Sequence, residues 1–252
     1  MIVYSVYDTN RTFRNACELL PDKKWNNLLS YWYFNKNTPM KQLFQHSNNL
    51  LFDSGAFTLF GDTHRKISLD NYFKQYKSFV EKYCNQSCVR GFIELDIGSI
   101  VGYDTVLDYR GELLEVSDKI LPCWHQYLGL DEYKKLVHEY DYIAIGGIAN
   151  NELNRDYLPA LNKYAMNHNC KIHALGVGAE KYLRNIPFHS VDTSIYITTR
   201  YGKIFQFQDG LQKKTRVNKN YLTQNNKKVR LFNFLQSIKL QEYYQTLWEN
   251  KQ

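Results

Sequence analysis

The sequence predicts one large α/β unit, a (β/α)8 TIM barrel carrying a basic helical C-terminal extension. Three observations point there. Eight apolar runs rich in β-branched and aromatic residues recur at intervals suited to βα units. Stretches with a helical period lie between them. Several of the runs end in aspartate, histidine or paired glycine, at the strand ends where such barrels place their chemistry. The length of 252 residues suits a barrel of this kind. An open doubly wound sheet shares the same alternation, and the strand count alone does not separate the two. The expected division is a barrel over residues 1–205, with the extension over 206–252 packed on it.

The strand runs, in order, are "MIVYSVY" (1–7), "LLSYWYF" (28–34), "LLFDSGAF" (50–57) and "GFIELDI" (91–97), followed by "ILPCWH" (120–125), "YIAIGGI" (142–148), "IHALGVG" (172–178) and "SVDTSIY" (190–196). Residues 68–84 place Leu69, Tyr72, Phe73, Tyr76, Phe79, Val80 and Tyr83 near a 3.6-residue period, with Ser68 as N-cap. Residues 129–140 repeat the pattern with Leu130, Tyr133, Leu136 and Val137. Residues 155–169 give a third helix, with Pro159 in its first turn, where a missing N–H costs nothing. Residues 229–248 read as a terminal amphipathic helix behind a basic lead-in.

With 21 Tyr and 14 Phe, the chain has material for a sizeable core. No apolar run reaches the ~18 residues needed to span a bilayer. The N-terminal "MIVYSVYDTN" lacks a signal peptide's basic and apolar regions, so a cytoplasmic protein without membrane association is expected (in the host cytoplasm if phage-encoded). Five scattered cysteines, Cys17, Cys84, Cys88, Cys123 and Cys170, form no CxxC pair. They read as buried free thiols, and no metal is expected.

The formal charge of +7 is unevenly spread. From Arg200 onward there are eleven Lys or Arg against three acids, leaving the first 199 residues almost neutral. A basic C-terminal segment suits a polyanionic partner, nucleic acid first. Arg200, Lys203, Lys213, Lys214 and Arg216 are the candidate phosphate contacts.

Asp53, Asp96, His125, Gly146-Gly147 and Asp192 end five different strands. A lone strand-end Asp is usually a turn former or helix cap. Convergence of several on one barrel mouth points instead to chemistry. Paired carboxylates can divide labour between nucleophile and acid/base at a glycosidic carbon, whose oxocarbenium-like transition state needs nearby negative charge. Glycine at a strand end lets a flat ligand approach the backbone. Neither Gly146-Gly147 nor Gly176-Val177-Gly178 fits GxGxxG, so no dinucleotide cofactor is expected.

Taken in order, four segments resemble the tRNA-guanine transglycosylases and their DNA-modifying relatives. "FDSGAFTLF" is similar to the family's Asp-Ser-Gly-Gly strand end with its following aromatic. "IGGIANNE" resembles its Gly-Gly-Leu-Ala segment and following Glu. "HALGVGAEKYL" resembles its Leu-Met-Gly-Val-Gly segment, and "FHSVDTSIYITTRYGKIF" its Val-Asp segment with a trailing Arg. The resemblance runs from about residue 28 to 205. It implies base exchange at a nucleoside C1′ without a cofactor. Asp192 would be the nucleophile that holds the sugar as a glycosyl-aspartate, and Asp53 the general acid/base. Phe57 would stack on the base, Asp96 would read its N–H edge, and Ser54, Gly146 and Gly147 would line its pocket. His125 falls where the tRNA enzymes carry a glutamine. Arg200 or Lys203 are the candidates for keeping Asp192 ionised.

The tRNA enzymes also carry a C-terminal zinc motif of three cysteines and a histidine, whereas no cysteine follows Cys170 here. The segment around Asp192 looks more like the short DNA-modifying branch of phages and genomic islands. The expectation is therefore a DNA-guanine transglycosylase, a pentosyl-transferring enzyme that replaces guanine in DNA with a free 7-deazaguanine base of the preQ0 type. The basic tail would hold DNA, and a helper protein is a possible partner for strand opening. The alternatives are a zinc-less tRNA enzyme, and a non-catalytic nucleic-acid-binding barrel subunit.

Overall fold

The computed structural model describes residues 1–55, 59 and 68–251. Its main sheet is wholly parallel and built from β1 (Ile2–Val6), β2 (Trp25–Ser30), β3 (Ser47–Asp53), β4 (Val89–Ile93), β5 (Ile120–Leu121), β6 (Cys123–Trp124), β7 (Tyr142–Ile145), β8 (Lys171–Ala174) and β9 (Ser190–Thr193). β1 pairs with both β2 and β9, which brings the two ends of the strand series together.

β5 and β6 are two halves of one stave, separated only by Pro122, which has no N–H for a ladder. On one side Phe92 N–H donates to Lys119 O and Glu94 N–H to Leu121 O, at 2.8 and 3.1 Å. On the other, Ala144 N–H donates to Pro122 O and Gly146 N–H to Trp124 O, at 2.8 and 2.9 Å. Joined through Pro122, the staves make a closed ring of eight, so the fold is the barrel and not an open sheet.

Helices follow the staves in turn: α1 (Asn10–Leu19), α2 (Met40–Gln45), α3 (Leu69–Tyr83), the short α4 (Gly98–Val101) with α5 (Tyr103–Leu114), α6 (Gly129–Glu139), α7 (Leu158–Asn167) and α8 (Glu180–Asn185). Ser68 caps α3 by accepting from Asn71 N–H at 3.4 Å, and Pro159 sits in the first turn of α7. The apolar faces of these helices pack on the outer faces of the staves in one continuous core. Inside the ring, Tyr4, Leu28, Leu51, Ile93, Leu121, Cys123 and Ala144 form a second buried cluster, which plugs the barrel beneath its mouth.

All eight sequence-read runs are staves, but several begin earlier than hydrophobicity suggests. β2 starts at Trp25 and β3 at Ser47. Among the added residues Asn26, Asn27 and Ser47 are polar yet buried, and side chains here bond one another: Trp25 Nε1–H to Asn27 Oδ1 at 2.8 Å, and Asn27 Nδ2–H to Ser47 Oγ at 2.9 Å. A buried polar side chain with a partner costs little, and an apolar pattern does not reveal it.

The C-terminal region differs from an all-helical extension. β10 (Lys203–Gln208) and β11 (Leu211–Arg216) form an antiparallel hairpin that straddles residue 205, turning at Asp209-Gly210, both with positive φ. Phe205 and Phe207 alternate inward while the β11 side chains face out. α9 (Lys219–Glu249) then packs on β1, β2 and α1 and occupies the place of the eighth barrel helix. Ser5 Oγ bonds Ser237 Oγ at 2.8 Å, and Gln241 accepts from Asn26 N–H at 2.8 Å. Among the described residues no helix is long and apolar enough to cross a membrane.

Candidate active site

The period of two in a strand places every second side chain inside the ring. Tyr4 and Val6, Leu28 and Ser30, Leu51 and Asp53, Cys123 and His125, Ala144 and Gly146, Ser190 and Asp192 follow this parity. The lower member of each pair plugs the barrel or lies beside the plug, while the upper one reaches the C-terminal mouth. There a cavity of about 360 Å³ is lined by Asp53, Asp96, His125, Gly146, Gly147 and Asp192, together with Ser30, Tyr33, Gly176 and Arg200. Asp53, Asp96, His125, Gly146, Gly147 and Asp192 thus face one space from five staves, and Arg200 joins them. Ser54 does not: its hydroxyl is buried without a hydrogen-bond partner among the described residues, and its carbonyl accepts from Tyr72 Oη at 2.5 Å. Phe57 lies outside the described residues.

Asp192 is nearly buried, and its Oδ1 accepts from Gly176 N–H at 2.7 Å. The glycine-rich turn after β8 therefore holds a carboxylate. The same Oδ1 lies 3.4 Å from Nε2 of His173, a fully buried residue on β8. Nδ1 of His173 bonds Ser190 Oγ at 2.7 Å, which in turn meets Tyr142 Oη at 2.5 Å. Arg200 and Lys203, the candidates for keeping Asp192 ionised, are placed differently: Arg200 lines the same cavity, while Lys203 does not. Arg200 pairs with Asp8 at 3.9 Å, and Lys203 stands opposite Arg216 in the hairpin. His173 had a readable signal, as a polar residue at an inward position of an apolar stave.

Asp53 stands across the mouth from Asp192. Its pKa is raised to about 7, first by burial, then by the charge of Asp96, with Asp192 adding a smaller push. The Gly55 N–H and the Ser30 hydroxyl act in the opposite direction. Asp53 is thus poised between acid and base near neutral pH. Asp8, missed in the sequence, is a fourth carboxylate on the cavity wall; Arg230 holds it at 3.3 Å, and burial raises its pKa.

On the opposite wall, His125 Nε2 lies 3.2 Å from Asp96 Oδ2 and 3.6 Å from Cys123 Sγ. The ring covers the face of Gly146, where a Cβ would come within 2.4 Å of it. A side chain at 146 would thus collide with His125, while the Gly146 backbone still lines the cavity. Below them Glu94 is buried in a bidentate pair with Arg110, at 2.6 and 2.9 Å, and also accepts from Cys123 N–H at 2.7 Å. That N–H follows Pro122, where regular pairing with β4 ends.

Three of the five candidate phosphate contacts, Arg200, Lys214 and Arg216, lie at or beside the mouth. Lys214 lines a second cavity with Gly178, Ser194 and Gln212 beside the first. Arg216 and Arg200 share a third with Lys219. Lys213 is exposed on β11, opposite Gln206.

No protein-family model matches the chain, and no curated protein matches it. Solved structures similar to it include the intracellular xylanase TsXylA of Thermoanaerobacterium saccharolyticum, at 13% identity over 77% of this chain and 85% of that one, with a TM-score of 0.47. L-Talarate dehydratase of Polaromonas sp. is 10% identical over 86% of this chain and 60% of that one, also with a TM-score of 0.47. A GH10 xylanase of Thermobacillus composti is 9% identical, covering 94% and 81%, with a TM-score of 0.41. At this distance the likenesses carry no argument about the reaction.

Proposed function

We propose that the chain is an enzyme, a DNA-guanine transglycosylase that exchanges guanine for a 7-deazaguanine base of the preQ0 type. The observation that carries this reading is the pair Asp53 and Asp192 on opposite sides of one cavity, the first poised near neutral pH and the second held by Gly176 and beside His173. In the first half-reaction Asp192 attacks C1′ while the glycosidic bond breaks, and the departing guanine takes the proton of Asp53. In the second, the incoming base returns a proton to Asp53 and its nitrogen displaces Asp192 from C1′. Two displacements retain configuration at C1′ and need no external energy source.

Asp96 offers a carboxylate oxygen to the N–H edge of a guanine-type base. The backbone at Gly146-Gly147 and the ring of His125 line the space beside it. The cationic rim, from Arg200 through Lys214 to Arg216, suits a phosphate backbone crossing the mouth. A target guanine must leave its stack to reach Asp192, at a cost of a few kcal/mol.

The test is release of radiolabelled guanine from DNA and, in parallel, from tRNA, with a 7-deazaguanine base supplied. Release from DNA that vanishes in Asp192→Asn, with DNA binding retained, is the expected result. Release from tRNA alone would move the chain to the tRNA enzymes. DNA binding without release from either substrate would indicate a binding subunit.

A further inference from the structure

Asp96, Cys123 and His125 present one ligand atom each to a common point, all within 4.8 Å of one another. We propose that these three residues form a binding site for a borderline-soft divalent metal, Zn2+ foremost, with its fourth coordination position open to the cavity. Bond lengths of about 2.0–2.3 Å to oxygen, nitrogen and sulfur, set at tetrahedral angles, give ligand–ligand edges of about 3.3 to 3.6 Å. Here the N···O edge is 3.2 Å, the S···N edge 3.6 Å and the S···O edge 4.0 Å. Two of the three edges already match, and the third needs a closure of about half an ångström to reach the tetrahedral value.

The fold holds each ligand. Cys123 and His125 are alternate residues of one stave and point to the same side. Glu94 pins the Cys123 N–H, and the His125 ring lies against Gly146. Asp96 follows β4, the neighbouring stave. Cys123 is buried, whereas the side chains of Asp96 and His125 are 14 and 13% exposed and border the cavity. A metal would thus sit with its protein ligands behind it and the ligand space before it, the arrangement of an open site rather than a closed structural one. A thiol, a neutral imidazole and a carboxylate together select Zn2+ over Mg2+ or Ca2+. On binding, the Cys123 thiol gives up its proton to solvent as the S–metal bond forms. The carboxylates at the mouth supply a second reason for a cation. Asp53, Asp96 and Asp192 crowd one cavity, and among the described residues no salt bridge joins Asp53 to a Lys or Arg. Only Oδ2 of Asp96 faces the common point, so Oδ1 remains for a second contact. The site stands whether or not the barrel is a transglycosylase.

Chelator-stripped protein titrated with Co2+ alone tests the proposal without any assay of turnover. The expected result is saturation at one equivalent, with visible d–d bands of tetrahedral intensity and a thiolate-to-cobalt charge-transfer band, all displaced by one equivalent of Zn2+. Cys123→Ser should abolish the charge-transfer band, while Cys84→Ser and Cys88→Ser leave it intact. Asp96→Asn and His125→Ala should weaken binding roughly tenfold or more. Absence of saturable binding, or a charge-transfer band that survives Cys123→Ser, would overturn the site. Should Cys123→Ser fail to fold, X-ray absorption at the zinc edge of the loaded wild type decides: one sulfur among nitrogen and oxygen neighbours supports the site, and any other sulfur count rejects it.

Discussion

Asp53 carries the pH dependence of the proposed exchange. With its pKa raised to about 7, it is mostly protonated just below neutrality, the form that delivers a proton to departing guanine. Guanine release under single-turnover conditions should therefore fall as pH rises through 7. Asp96→Asn removes the largest charge pushing that pKa upward, so the alkaline limb should move to lower pH. The same shift has a cost in stability. A carboxyl whose folded pKa lies above its ordinary 3.8 favours folding most fully below that value, and the contribution is lost as pH rises through about 7. Asp53→Asn should thus stabilise the fold at pH 8, by up to about 4 kcal/mol, and leave it unchanged at pH 3; melting curves at the two values check this. His173 acts through Asp192. Its ring lies 3.4 Å from Oδ1 and is fixed from behind by Ser190, so His173→Gln should lower kcat by roughly 10²-fold with KM little changed. An equal change in KM would instead mark a binding role.

At the scale of elements, the stave split at Pro122 depends on a side chain from a helix. Arg110 of α5 neutralises Glu94, and Glu94 accepts the Cys123 N–H. Arg110→Ala would leave an unpaired carboxylate in the core and should destabilise by about 3–5 kcal/mol, read from denaturant midpoints. This explains how far the sequence could be read. The staves were legible because their central residues form continuous apolar runs, buried on both faces. Asp53, Asp96, His125 and Asp192 were legible because they interrupt that pattern at its end. Elements held by polar contacts were not. The buried Asn and Ser residues of β2 and β3 pass for loop, although Asn27 is bonded to Trp25 and Ser47. Asp-Gly is a hairpin turn pair, but the lysines and glutamines around Asp209-Gly210 pass for a solvated lead-in to a helix. The Asp96, Cys123 and His125 cluster was invisible for another reason: its members are spread over two staves, and only the pairing of β4 with the neighbouring stave brings them together.

For the molecule as a whole, part of the basic charge lies beside the mouth and not on a detached tail. Lys214 and Arg216 of the hairpin line cavities next to the one that holds Asp192. Replacing Lys213, Lys214 and Arg216 together by alanine should flatten the slope of log Kd against log salt by about 2 to 3 units if each neutralises one phosphate. Guanine release from a short oligonucleotide at saturating concentration should be little affected. Closure of the ring also sets an order of events during synthesis. β1 is made first, yet one of its edges awaits β9 and its outer face awaits α9, with Ser5 reaching Ser237 and Gln241 across 232 and 236 residues. Contacts of such separation slow folding. A nascent chain thus holds β1 with one edge open until β9 has left the ribosome, and chaperone occupancy of that edge should persist through most of translation.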